Sequence, residues 1–111
     1  MAGELRRSMP ASTRERLARD LGSHNALLLD NHGLLTCGSS VAEAFNNMYY
    51  LERACQAQVA ALGGGVKPLM PSAVSIAKTA TLFHERSGAA SRRDWVTLLW
   101  MLDRVDPSYR A

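Results

Sequence analysis

Two short apolar runs flank a polar reversal in this chain. Ala26-Leu27-Leu28-Leu29 is followed by Asp30-Asn31-His32-Gly33 and then by Leu34-Leu35-Thr36-Cys37. A four-residue polar connection containing glycine predicts an antiparallel hairpin with a tight turn. Runs with no polar alternation predict strands covered on both faces. β-Branched residues are scarce in both, so strand propensity adds little. An isolated two-stranded hairpin is marginal in water. A chain organised around this hairpin therefore needs cover on both faces, and its expected partner strands come from outside these residues.

The flanking segments read as helices. Ser12 and Glu15 have capping-box spacing and open a short helix from Thr13 to Leu21. Leu17, Ala18 and Leu21 form its apolar face, and Gly22 is its stop. Residues 1–11 show no period and read as an irregular lead-in. Ser40 and Glu43 form a second capping box, which opens the longest helix, from Val41 to Leu62. Its stripe is Val41, Ala44, Phe45, Met48, Leu51, Cys55, Val59 and Leu62. Alanines at 54, 57, 60 and 61 leave other sides small and apolar. This helix is expected to pack on two sides, against the sheet and against another subunit. Gly63-Gly64-Gly65 ends it. Ser72 caps a third helix with a stripe of Ala73, Ile76, Ala77, Ala80 and Phe83, which Gly88 is expected to stop. Ser91 and Asp94 then begin a fourth, with Trp95, Leu98, Leu99 and Leu102 as its buried face and Pro107 as its end.

Size and charge exclude several classes. The 111 residues suffice for one domain and not for two. Apolar residues at 47% and charged residues at 21% exclude dominant disorder. The net charge is +3, and five of the 13 cations (Arg6, Arg7, Arg14, Arg16, Arg19) fall in the first 20 residues. No continuous basic stripe with interleaved aromatics occurs, so no nucleic-acid partner is expected. Met1–Pro10 carries Arg6 and Arg7 without a following apolar segment, so no signal peptide is read there. No apolar run approaches membrane-spanning length, and no membrane partner is expected. Cys37 and Cys55 form no CxxC pair and read as reduced residues of a cytoplasmic protein.

Among the three histidines, His32 carries the functional interest. Gly33 permits a sharp reversal that would push this imidazole out at the sheet end, where a neutral imidazole can bind Zn²⁺. The plainer reading is a turn residue making one hydrogen bond, and residue type alone favours it, because catalytic zinc takes about three protein ligands. His24 reads as a solvated loop residue, and His84, with Glu85 and Arg86, as a surface residue at a helix end. Neither has the i, i+4 or HxH partner of a zinc site. Asp30 could orient His32, although an ordinary turn aspartate explains it equally. Tyr49 and Tyr50 read as packing residues, and Glu52 and Arg53 as solvated or interface charges. Cys37, expected within a strand, reads as buried rather than nucleophilic. GxSxG, GxGxxG and the phosphate-cradling GxxxxGK[ST] do not occur.

The run Ala26-Leu27-Leu28-Leu29-Asp30-Asn31-His32-Gly33-Leu34-Leu35-Thr36-Cys37-Gly38, followed by Val41-Ala42-Glu43-Ala44-Phe45, resembles the class II aldolase/adducin family. The likeness continues through Met48-Tyr49-Tyr50-Leu51-Glu52-Arg53-Ala54-Cys55-Gln56-Ala57-Gln58. Trp95 to Asp103, with Asp106-Pro107-Ser108-Tyr109-Arg110, resembles the C-terminus of its bacterial members. The resemblance implies an α/β (α+β) fold: a partial three-layer α/β/α domain, here an antiparallel strand pair followed by three helices. Residues 12–111 would be the C-terminal portion of that domain. It implies divalent-metal chemistry, usually with zinc, in which His32 matches the last histidine ligand. Zinc in such enzymes acts as a Lewis acid on carbonyl and hydroxyl oxygens, and a carboxylate handles the proton. The implied reactions are aldol cleavage, epimerisation or decarboxylation of small sugar or sugar-phosphate substrates, by a homo-oligomer.

The family's HxH ligands, its acidic catalytic residue and its phosphate-binding loops are upstream elements, and this sequence holds none of them. One imidazole cannot hold a catalytic zinc, so the chain alone is expected to be inactive. The competing expectation is a non-catalytic oligomerisation or protein-interaction module, as adducins keep the fold without the activity.

Overall fold

A computed structural model describes residues 11–110. The order is α1 (Ala11–Leu21), β1 (Ala26–Leu29), β2 (Gly33–Thr36), α2 (Val41–Gly63), α3 (Ala73–Val105) and a 3-10 turn (Pro107–Arg110). The strand pair is antiparallel, with Ala26 opposite Thr36 and Leu29 opposite Gly33. The expected mixed α/β class and hairpin are present. Gly33 belongs to β2, so the connection has three residues, Asp30 to His32, rather than four. The strand ends at Thr36, although the Cys37 N–H still donates to the Asn25 carbonyl at 2.8 Å.

The first helix begins at Ala11, two residues before the expected start, and residues 1–10 of the expected lead-in lie outside the described residues. Gly22 ends α1 as expected. Its φ is +53°, and its N–H donates to the Ala18 carbonyl at 3.1 Å. Leu17 and Leu21 are half-buried, whereas Ala18 is exposed.

A short joint fastens β2 to α2. Ser40 caps α2, accepting the Glu43 N–H at 3.2 Å, while the Glu43 carboxylate accepts the Ser39 N–H at 2.8 Å. The carboxylate thus closes on the residue before the cap, one position earlier than a standard capping box. The Thr36 hydroxyl donates to the Ala44 carbonyl at 2.9 Å, and the Asn47 amide donates to the Cys37 carbonyl at 2.9 Å. Gly38 lets the chain pass close to the helix. A Cβ there would stand 2.7 Å from the Ala44 nitrogen and 2.8 Å from the Glu43 Cβ. Ala42, beside this joint, is buried.

The expected stop at Gly88 does not occur. The third and fourth expected helices are one continuous helix of 33 residues. Gly88 takes no left-handed conformation, and glycine inside a helix costs only about 1 kcal/mol relative to alanine. Ser91, read as the cap of a new helix, is instead an interior helical residue with 1% of its surface exposed. His84 consequently lies mid-helix rather than at an end. Ser72 does cap α3, accepting the Ser75 N–H at 3.2 Å. α2 and α3 meet through two edge-to-face ring pairs, Phe45 with Trp95 at 5.5 Å and Tyr50 with Phe83 at 5.3 Å.

The expected double-sided cover of the strands is absent among the described residues. The sheet has two strands, and Leu28 is 75% exposed. The helical stripes are also only partly covered. Val41, Val59 and Leu62 of α2 are open to solvent, as are Ile76, Leu98 and Leu102 of α3. Periodicity places these residues in the same stripes as Phe45, Phe83 and Trp95, which do pack between the helices, so each stripe is covered over part of its length and open over the rest. No helix among the described residues is long and apolar enough to cross a membrane.

α3 ends where Asp106 turns extended ahead of Pro107, because proline disfavours helical geometry in the residue before it. The following turn folds back so that Asp103 accepts from the Tyr109 hydroxyl at 2.6 Å and from Arg110 Nε at 2.7 Å. Arg110 engages both carboxylate oxygens. Hydrogen bonds from Arg110 and then Tyr109 hold the Asp103 carboxyl below the usual carboxylate range.

Two predictions follow from these contacts. Gly38→Ala forces the β2–α2 joint apart and should destabilise the chain by about 1–3 kcal/mol. Gly63→Ala, whose Cβ would meet nothing within 4 Å, should be neutral or mildly stabilising. Urea unfolding of the two variants checks the contrast. The depressed Asp103 carboxyl contributes stability that is present above its unfolded value near 3.9 and lost as pH falls through the lower folded value. Arg110→Gln should therefore lower the thermal midpoint slightly near neutrality, flatten the acid limb of a plot of midpoint against pH below about 4, and converge with the parent chain at the lowest pH.

Candidate functional site

His32 stands at the tip of the hairpin because of the backbone around it. Its N–H donates to the Leu29 carbonyl at 3.2 Å, closing a turn across Asp30 and Asn31. Asn31 has φ +59°, in the left-handed region that a type II turn requires at its third position and that asparagine tolerates. Gly33 follows with φ +111°, a conformation reserved for glycine. The sequence pattern assigns this reversal to Gly33 alone. Asn31 shares it, and an asparagine inside a polar reversal was the signal for that role.

The imidazole borders an open cleft of about 620 Å³ between α1 and the hairpin. Leu17, Leu27 and Leu35 supply apolar walls, while Arg16, Asp20 and Asp30 bring charge to the same cleft. Asp30 thus lies close to His32 in the fold as well as in sequence. His24 lies in the loop before β1 and His84 on exposed α3, and neither borders this cleft. Among the described residues, no three His, Cys, Asp or Glu side chains converge in a way that could hold a metal ion. The donor set does not fit a complete zinc centre, since His32 is one imidazole where about three protein ligands are needed.

The remaining candidates take structural positions. Cys37 and Cys55 are free and half-buried. Cys37 lies just past the end of β2 rather than inside it, and its carbonyl accepts from Asn47. Glu52 accepts from the Gln56 amide at 3.1 Å, and the Arg53 guanidinium stands 5.4 Å over the Tyr49 ring. Tyr49 and Tyr50 pack edge to face at 5.5 Å, consistent with their reading as packing residues. Thr36 and Asn47 were not singled out from the sequence, yet they hold the hairpin, and with it His32, against α2. Single polar residues inside a hydrophobic pattern gave no sign of pairing at separations of eight and ten residues.

A hairpin with a histidine turn, joined through a glycine to the start of a long helix, defines a portion of an α/β domain of the aldolase II type. The Class II Aldolase and Adducin N-terminal domain matches residues 4–59. A protein of Pseudomonas aeruginosa assigned by name to aldolase class 2 is 40% identical over 99 residues, covering 86% of this chain and 38% of the relative. Human beta-adducin is 46% identical over 46 residues, covering 40% of this chain and 6% of the adducin. The crystal structure of an aldolase II superfamily protein from Pseudomonas syringae superimposes with a TM-score of 0.79 at 38% identity, covering 92% of this chain and 41% of that one. The chain belongs to the class II aldolase and adducin family. It spans about 38% of the length of the Pseudomonas aeruginosa relative.

Gly33→Ala tests the turn. A Cβ at φ +111° meets no neighbour within 4 Å, so its cost is backbone strain alone, of order 1–3 kcal/mol. The expected result is a lowered thermal midpoint with α2 and α3 helicity retained. Asn31→Gly should leave the midpoint nearly unchanged.

Proposed function

We propose that this chain carries one ligand position, His32, of a zinc site of the class II aldolase type, and that it does not turn over substrate by itself. The observation that supports this reading is the placement of His32 at the hairpin tip on a cleft, within the very turn that matches the family. The reaction class is metal-assisted aldol cleavage, epimerisation or decarboxylation of a small sugar or sugar-phosphate substrate, in a homo-oligomer of the cytoplasm. The two unbonded cysteines favour such a reducing setting. No step of the reaction is assigned to this chain, because its described donors fall short of a metal centre.

A second reading is supported by the adducin relatives and by the open apolar side of α2, where Val59 is 71% exposed. On that reading the chain is a non-catalytic interaction module, and His32 is a turn residue inherited without use.

Zinc titration separates them. On the first reading the purified chain loses its zinc on dialysis, and addition of Zn²⁺ broadens or shifts the His32 imidazole resonances in proton NMR. Those of His24 and His84 stay unmoved. Equal response of all three histidines would favour the module. One zinc retained per chain together with cleavage of sugar phosphates would overturn the claim that the chain is inactive alone.

A further inference from the structure

We infer that the groove between α2 and α3 binds a small zwitterion, in which a carboxylate and an ammonium are joined by a short apolar chain. This groove shares no lining residue with the His32 cleft, and the inference does not depend on the zinc reading.

The groove follows from how the two helices cross. Phe45 meets Trp95 and Tyr50 meets Phe83, so α2 runs antiparallel to α3. Tyr50 therefore lies toward Arg86, and Asn46 lies toward Ala90 and Asp94. All of these border an open space of about 320 Å³, at the small end of the range for ligand sites. Phe83 and Ala90 give it an apolar wall.

Opposite charges stand at its two ends. Arg86 and Asp94 are eight positions apart on α3, which is about 12 Å along the axis at a rise of roughly 1.5 Å per residue. No ion pair joins them. Arg86 has no ion-pair or hydrogen-bond partner among the described residues. Asp94 is met only by its neighbour Arg93, at 3.6 Å between exposed side chains, and such a pairing contributes little in water. The Asn46 amide and the Tyr50 hydroxyl also make no hydrogen bond among the described residues. Asn46 is half-buried, where an amide without a partner is unfavourable.

The charge pattern selects the ligand class. At one end the Arg86 guanidinium and the Tyr50 hydroxyl donate, and a carboxylate matches the guanidinium fork. At the other end the Asp94 carboxylate and the Asn46 amide oxygen accept, and an ammonium brings three donors. The two charges of the groove cancel, so a zwitterion leaves neither uncompensated. A plain anion would meet Asp94, and a plain cation would meet Arg86. Methylene groups between the ligand's ends fit against Phe83 and Ala90. A zwitterion as short as glycine reaches only one end.

The test titrates the 111-residue chain with 6-aminohexanoate and follows amide and aromatic resonances by NMR. The expected result is saturable shifts at Asn46, Tyr50, Phe83 and Ala90, with affinity at least about tenfold above that for hexanoate, hexylamine or glycine and falling as salt is added. Arg86→Gln and Asp94→Asn should each weaken 6-aminohexanoate at least about tenfold. Asp94→Asn should leave hexanoate binding unchanged or stronger, and Arg86→Gln should do the same for hexylamine. Both side chains are exposed, so the thermal midpoint should hold in both variants. If either folds poorly, the probe series and salt dependence of the parent chain decide the matter. His32→Ala should leave the titration unaltered, so this inference and the zinc reading stand or fall separately. Equal affinity for hexanoate and 6-aminohexanoate overturns the inference, since the groove is then merely apolar. So does preferential binding of inorganic phosphate, or saturable shifts that fall elsewhere or do not occur.

Discussion

Two hydrogen bonds and one missing side chain tie the hairpin to the helices. The Thr36 hydroxyl reaches the Ala44 carbonyl and the Asn47 amide reaches the Cys37 carbonyl, both at 2.9 Å. Gly38 allows the approach, since a Cβ would overlap the Ala44 nitrogen at 2.7 Å. A hairpin of eight strand residues cannot stand alone in water, so its geometry is borrowed from α2 through this joint. α2 in turn is anchored by the Ser40 cap and by ring contacts to α3. The position of His32 is thus set at two removes, first by Asn31 and Gly33 in the turn and then by the joint that orients the hairpin.

What the sequence made legible follows from the range of each interaction. The hairpin, the Gly22 stop and the Ser40 and Ser72 caps rest on contacts within a few residues, and periodicity or cap spacing exposes them. Gly88 misled for the opposite reason. Its local signal was a stop, but a single interior glycine costs about as much as one ordinary packing contact returns, and the helix runs on through Ser91. The Thr36 and Asn47 bonds span eight and ten residues and leave no mark in composition. At the site, the turn and its histidine were readable, and both lie within the stretch that matches the family. The cleft that gathers Arg16, Asp20 and Asp30 near His32 depends on how α1 lies across β1, which no spacing encodes.

Burial gives the clearest physical measure of what this stretch can do. Its helices present apolar stripes at the correct period, yet stripe residues such as Val59, 71% exposed, face water. The Cα radius of gyration is 17.1 Å, where a compact chain of this length has about 13 Å. A helix earns most of its stability from packing of its apolar face rather than from propensity, so stripes written into the sequence and left open in the fold are incomplete interfaces.

The same incompleteness bears on chemistry. A zinc site needs ligands held in fixed relation, and ligands are held by the packing around them. Here the one candidate ligand sits in a turn whose positive-φ residues, Asn31 and Gly33, fix the backbone on either side of it. The hairpin that carries it has one paired edge per strand and one open face around Leu28. Cover for β1 would therefore do two things at once, burying the exposed leucine and stiffening the turn that aims the imidazole. On the proposed zinc reading, any donors that join His32 would have to be held against this same hairpin, so the stiffness of the hairpin sets how well such a site could be ordered.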